Sequence, residues 1–168
     1  MTAAITPDTT PAWEQRLRKC LPLYGHRNWI VVADSAYPAQ SRPGIETIVA
    51  GGDQIHVVRK VADAITAARH IRANIYLDAE LAFVSESDAP GVTDYSQQLA
   101  RALYGTQAHR LPHEKIIHKL DQSAQLFRIL ILKTEMTIPY TSVFFELDCG
   151  YWDAEAEQRL RRAMPASS

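Results

Sequence analysis

Residues 24–38 read YGHRNWIVVADSAYP. The five residues at its centre, Trp29–Ala33 (WIVVA), form an apolar run rich in β-branched side chains, which predicts a strand buried on both faces. Polar residues bracket the run: Gly25-His26 stand before it and Asp34 follows it. If extended, the eight steps from His26 to Asp34 span roughly 26 Å. A site that uses both must bend the chain around His26 or join the two across a subunit boundary. An acid at the carboxyl end of a buried strand stands where open α/β sheets place ligand groups.

Helical and extended periods alternate outward from this strand. Residues 12–21 follow Pro11 and carry Trp13, Leu17 and Leu21 on one helical face. A short strand is expected at 46–49, then a helix capped by Asp53 and running to about His70. Segments 74–77 and 81–84 read as strands, and SESDAPGVTD as a loop before a helix at 94–104. A strand at 107–111 precedes a helix from His113 to about Leu126, followed by strands at 127–132 and 143–147. A last helix, 153–163, opens on Asp153 and closes on arginines. The interleaving predicts a three-layer α/β/α sandwich with a mixed sheet. No linker or repeat divides residues 12–164, so one domain is expected there, with a poorly ordered tail at 1–11.

Composition narrows the function. The 168 residues carry 18 Lys plus Arg against 19 Asp plus Glu, and a formal charge of −1 gives no footprint for nucleic acid or anionic lipid. No apolar run approaches the roughly 20 residues that span a bilayer, and no signal-peptide pattern opens the chain, so a cytoplasmic location is expected. The two cysteines, Cys20 and Cys149, lack metal-site spacing and read as reduced thiols. G-x-G-x-x-G, G-x-x-x-x-G-K-[ST] and G-x-S-x-G are all missing, which removes the common nucleotide cradles and the hydrolase elbow. His113 and His118 are five apart on one helix and diverge by roughly 140°, so they do not chelate one ion. No metal is expected.

The motifs around WIVVA resemble the D-ribose pyranase and L-fucose mutarotase family of bacterial sugar-handling proteins. Members carry Gly-His, a hydrophobic strand and an Asp eight positions after the His, as in His26 to Asp34. A second likeness is ILKTEMTIPYTSVFFELDCG near the C-terminus, where the family has a Tyr motif between strands. A third is His113-Glu114 at a helix opening. Counting back from Tyr140 without a gap selects His118 instead of His113; His113 is preferred because it directly follows a strand.

The resemblance implies a cofactor-free isomerase, a mutarotase or pyranase that interconverts ring forms or anomers of a monosaccharide. Ring opening at C1 needs a proton taken from the anomeric hydroxyl and one delivered to the ring oxygen. Histidine, with an unperturbed pKa of about 6.5, suits both transfers. By similarity His26 is the acid/base, and Asp34 binds a hydroxyl or orients the site. His113, Tyr140 and Ser142 bind substrate, and Tyr37 or Trp29 offers an aromatic face. A ring-like homo-oligomer, such as a pentamer or decamer, is implied as well. Two departures stand out: Asn28 replaces a family Asp, and Thr141-Ser142 replace the Asn after the Tyr motif. They motivate the alternative of a monosaccharide binder that does not catalyse. Residues 152–164 extend past the usual family end.

Overall fold

The structure is a computed structural model that describes residues 9–165. WIVVA forms β1 (Trp29–Ala33), and all five of its residues are buried. It lies inside a six-stranded sheet with β2 (Ile45–Val49), β3 (Ile71–Asp78), β4 (Ala108–Leu111), β5 (Ile129–Lys133) and β6 (Val143–Cys149). The order is β2-β5-β1-β6-β3-β4. β1 pairs in parallel with β5, setting Val31 opposite Ile131, and β6 runs antiparallel between β1 and β3. Five strands therefore share one direction and β6 opposes them.

Helices cover both faces: α1 (Ala12–Cys20), α2 (Gln54–Ala67) and α3 (Val92–Ala102) on one side, α4 (His113–Ser123) on the other. Strand alternation divides the core between them. Ile30 and Val32 pack with Leu17, Val58 and Leu99, whereas Trp29 and Val31 pack with Ile116 and Leu120. Each fully buried aliphatic side chain contributes about 1.5–3 kcal/mol. The result is the expected α/β/α sandwich with a mixed sheet. A fifth helix, α5 (Ala154–Ala163), buries none of its residues.

Local chemistry explains most boundaries. Asp53 caps α2 by accepting from His56 N at 3.0 Å, and Asp153 caps α5 through Ala156 N at 2.7 Å. Helix α2 ends at Ala67 and α4 at Ser123, each about one turn before the expected stop. The strand expected at 81–84 is absent. β3 already runs to Asp78 with β6 and β4 on its two sides, so the next apolar stretch finds no free sheet edge. Residues Ala79–Phe83 form a 3₁₀ turn that buries Leu81 and leaves Phe83 87% exposed. That turn brings Glu80 to the start of α4, where both of its oxygens accept from His113 N at 3.0 Å. Pro112, at the cap position, has no side-chain acceptor to offer, and Glu80 supplies one from a distant segment. The tail expected at 1–11 falls mostly on residues 1–8, outside the described ones. Among the described residues no helix is long and apolar enough to cross a membrane.

Candidate functional site

Because β6 alone is reversed, one edge of the sheet collects the carboxyl ends of five strands and the amino end of the sixth. Asp34 follows β1, Asp78 ends β3, His113 opens α4 just after β4, and residues 134–142 link β5 to β6. Around them lies a cleft of about 510 Å³, lined by Asp34, Tyr37, Asp78, His113 and Tyr140 and by apolar groups such as Ile138. Its size suits a small ligand.

Asp34 is held in place by its neighbours. Its Oδ1 accepts from Ala36 N at 3.0 Å, and its Oδ2 accepts from Ser142 Oγ at 3.0 Å. Ser142 is buried behind Asp34 and does not line the cleft, so it fixes the carboxylate from behind. His113 Nδ1 lies 3.0 Å from Asp78 Oδ1. With Nδ1–H donating to Asp78, Nε2 is the nitrogen left open. Asp78 is 1% exposed and its Oδ2 has no hydrogen-bond partner. Burial pushes its carboxyl up, against the opposing pull of His113.

Tyr140 stands edge-on to His113, with ring centroids 5.9 Å apart. Its φ of 59° lies in the left-handed region, rare for a bulky residue, so the surrounding loop must hold it there. The next residue, Thr141, is buried, and its carbonyl accepts from Tyr95 Oη at 2.6 Å and from Gln54 Nε2. Gln54 Oε1 accepts from Thr134 Oγ1 at 2.8 Å. One buried glutamine at the start of α2 thus ties both ends of the β5–β6 loop.

His26 lies at the opposite edge, before β1. Its Nδ1 is 2.8 Å from Asp148 Oδ1, and Arg27 Nε donates to its Nε2 at 3.2 Å, so the Nδ1 proton faces Asp148. Arg72 donates to Asp148 Oδ2 at 2.9 Å. Partial burial works the other way, yet hydrogen bonds from Arg72, Cys149 N and His26 hold the Asp148 carboxyl below its ordinary range. The carboxylate beside His26 is thus Asp148. Asn28 instead shapes the turn: its Oδ1 accepts from Gly25 N at 2.8 Å and its Nδ2 donates to Arg128 O at 3.1 Å. A carboxylate has no proton for that second bond. His26, Arg72, Asp148, Trp152 and Glu157 line a second cleft of about 580 Å³.

One chain thus brings Asp34, His113 and Tyr140 together, with Ser142 behind them. It leaves His26 at the far end of β1, whose five residues span about 17 Å. His118 is exposed on α4 and does not line the cleft. Tyr37 lines it, whereas Trp29 is fully buried and stacks on Tyr76 at 5.8 Å within the core. Sequence reasoning missed Asp78, Glu80 and Gln54. Asp78 repeats the Asp34 signal, an acid closing an apolar strand; Gln54 gives none, because its partners come from residues 95, 134 and 141. Among the described residues no group of three or more His, Cys, Asp or Glu is arranged to hold a metal ion.

A mixed α/β sandwich with a polar cleft at the carboxyl edge of its sheet is an architecture that binds small ligands at that edge. A family model, that of the RbsD / FucU transport protein family, matches residues 8–149, and the chain belongs to this family. Its fold is similar to that of Bacillus subtilis RbsD complexed with D-ribose, at a TM-score of 0.53 and 17% identity over 88% of this chain and 98% of that one. It is also similar to the fucose mutarotase of Streptococcus pneumoniae in complex with L-fucose, at 0.52 and 20% over 84% and 97%. FucU from Bifidobacterium longum gives 0.52 and 16% over 80% and 94%. No curated protein matches this chain at a significant level.

Proposed function

We propose that the protein is a cofactor-free monosaccharide mutarotase or pyranase. The observation that carries this reading is the cleft in which Asp34, His113 and Tyr140 converge, in a chain of the RbsD / FucU family. The Asp34 carboxylate and His113 Nε2 accept from sugar hydroxyls, and Tyr140 donates to one. A cleft of this kind, with fixed polar groups beside Tyr37 and Ile138, matches an uncharged polyol ring. His26, its Nδ1–H held by Asp148, is the acid/base: the anomeric hydroxyl displaces Arg27 Nε from Nε2, which takes its proton. C1–O1 becomes a carbonyl as the bond from C1 to the ring oxygen breaks, and the imidazolium returns the proton to the ring oxygen. Reclosure on the other face exchanges anomers; reclosure through another hydroxyl changes ring size.

In this reading a second copy of the chain delivers His26 to the Asp34 cleft, within a ring-like homo-oligomer such as a pentamer or decamer. The separation of His26 from Asp34 in one chain also favours a second reading, a monosaccharide binder without catalysis. Saturation-transfer NMR on D-ribose, L-fucose and other aldoses separates the two. Catalysis predicts faster anomer exchange with at least one sugar and a loss of about 100-fold or more in His26→Ala and in Asp34→Ala. Co-assembled, the two variants should regain part of the activity, because a mixed contact holds one intact His26 and one intact Asp34. Binding without exchange establishes the second reading, and full activity in His26→Ala rejects the assigned acid/base.

A further inference from the structure

The second cleft contains something the family match does not reach. The match ends at residue 149, and the next turn of chain places Tyr151 and Trp152 beside His26. Trp152 remains 45% exposed, yet its indole is not free to swing. Its Nε1 donates to Glu157 Oε2 at 2.9 Å, and Arg161 Nε donates to Glu157 Oε1 at 2.6 Å. Asp153 caps the same helix, so the indole is clamped to the first turn of α5. A large aromatic surface held in one orientation and left half in water is ready to take an apolar partner, with little rotamer freedom left to lose.

The charges around it narrow the ligand. Arg72 is neutralised by Asp148, and Glu157 by Arg161. The carboxylate that remains, Asp153, is turned onto Ala156 N as the helix cap, and no cation of the lining is left to select an anionic ligand. What the cleft offers is a flat apolar face with hydrogen-bonding groups at its rim, the complement of a sugar ring, whose C–H groups lie on one face and whose hydroxyls point outward. His26 and Trp152 line the same cleft, so a ligand seated in it lies beside both side chains.

We propose that Trp152 is the stacking face for the reducing monosaccharide on which His26 acts, so that the C-terminal extension sets sugar preference. This rests on the reading of His26 as the acid/base. Sugars with a continuous C–H face toward the indole are preferred over epimers that turn a hydroxyl to it.

The test uses the full-length protein, Trp152→Ala and Trp152→Phe, with D-ribose, L-fucose, D-glucose and D-galactose as probes. Trp13 and Trp29 are buried, so acrylamide quenching of the intrinsic fluorescence reads Trp152. The sugar that is turned over should protect Trp152 from acrylamide. Trp152→Ala should raise KM for it about tenfold with kcat changed little, and Trp152→Phe should stay within about threefold of wild type. Exchange by the wild type with unchanged KM in Trp152→Ala overturns this inference and leaves the proposed function standing. Dissociation of both variants in light scattering, with no sugar protection in the wild type, makes Trp152 a subunit contact and also overturns it. Absence of exchange with every aldose overturns both.

Discussion

His113 Nδ1 donates to Asp78 Oδ1 at 3.0 Å, while the other oxygen of the same carboxylate is buried with no hydrogen-bond partner. The imidazole is thereby fixed by a group that itself resists ionisation. Burial raises the folded-state pKa of Asp78, so its contribution to stability is fully present below the unfolded carboxyl value of about 4. It is lost as pH rises through the folded value. Asp78→Asn removes that loss. Urea unfolding across the acid range should show the variant gaining on wild type as pH rises from about 4 toward neutrality. Parallel profiles would mean that Asp78 ionises in the fold without penalty. Sugar affinity should fall several-fold, because an amide holds the His113 proton less firmly than a carboxylate does.

Gln54→Leu removes the amide that ties Thr134 to Thr141. The Thr134 hydroxyl keeps only the Ala33 carbonyl at 3.2 Å, and the buried hydrogen bonds lost with the amide cost about 2–3 kcal/mol in all. Tyr140 loses half of the clamp that keeps it at positive φ, so calorimetry should find weaker sugar binding as well as a lower urea midpoint. A stability loss with unchanged affinity would show that Tyr95 alone holds the loop.

Asp148 behaves in the opposite sense to Asp78. Its folded pKa is lowered, so its stabilising effect is present above the unfolded value and disappears as pH falls through the folded one. Asp148→Asn should be less stable than wild type by about 1 kcal/mol near neutrality, with the gap closing below about pH 4. Nitrogen chemical shifts of His26 should also move, since the variant loses the acceptor charge that holds the Nδ1 proton. An unchanged His26 spectrum would reject the pairing.

Gly150→Ala tests how the extension is seated. A Cβ there would lie 2.7 Å from Arg69 O and 2.8 Å from Ile71 O, both backbone atoms that cannot swing aside. The chain must shift where it enters α5, at a cost of about 1–3 kcal/mol. Acrylamide should then quench Trp152 more strongly than in wild type; an unchanged quenching constant would show that the extension docks independently of this turn.

What could be read from the sequence divides along physical lines. WIVVA, the Asp53 cap and the start of α4 at His113 were legible because each depends on residues close in the chain. The length of a strand was legible too, and it already set His26 and Asp34 too far apart for one site in an unbent chain. Residues 81–84 were misread because an apolar tetrapeptide suits a strand or a 3₁₀ turn equally, and the choice is made by β4 and β6 occupying both sides of β3. Asp78 carried the same signal as Asp34, but its partner could not be read from the chain. An acid ending a strand reads as a turn residue until the sheet order brings β3 beside β4 and therefore beside His113. Asn28 offers His26 no charge, and the carboxylate that holds the imidazole, Asp148, comes from a strand 120 residues later in the chain.

Strand β1 leaves each chain with unlike ends: an Asp34 cleft at one and His26 at the other. If turnover needs both, copies associate head to tail, and such contacts either close on themselves or continue as an open row. A closed circle completes as many sites as it has members. An open row is always one short, with an empty cleft at one end and an idle histidine at the other. Activity per chain is then a census of closure, and a dilution series that opens the circle registers its first break as the loss of one whole site.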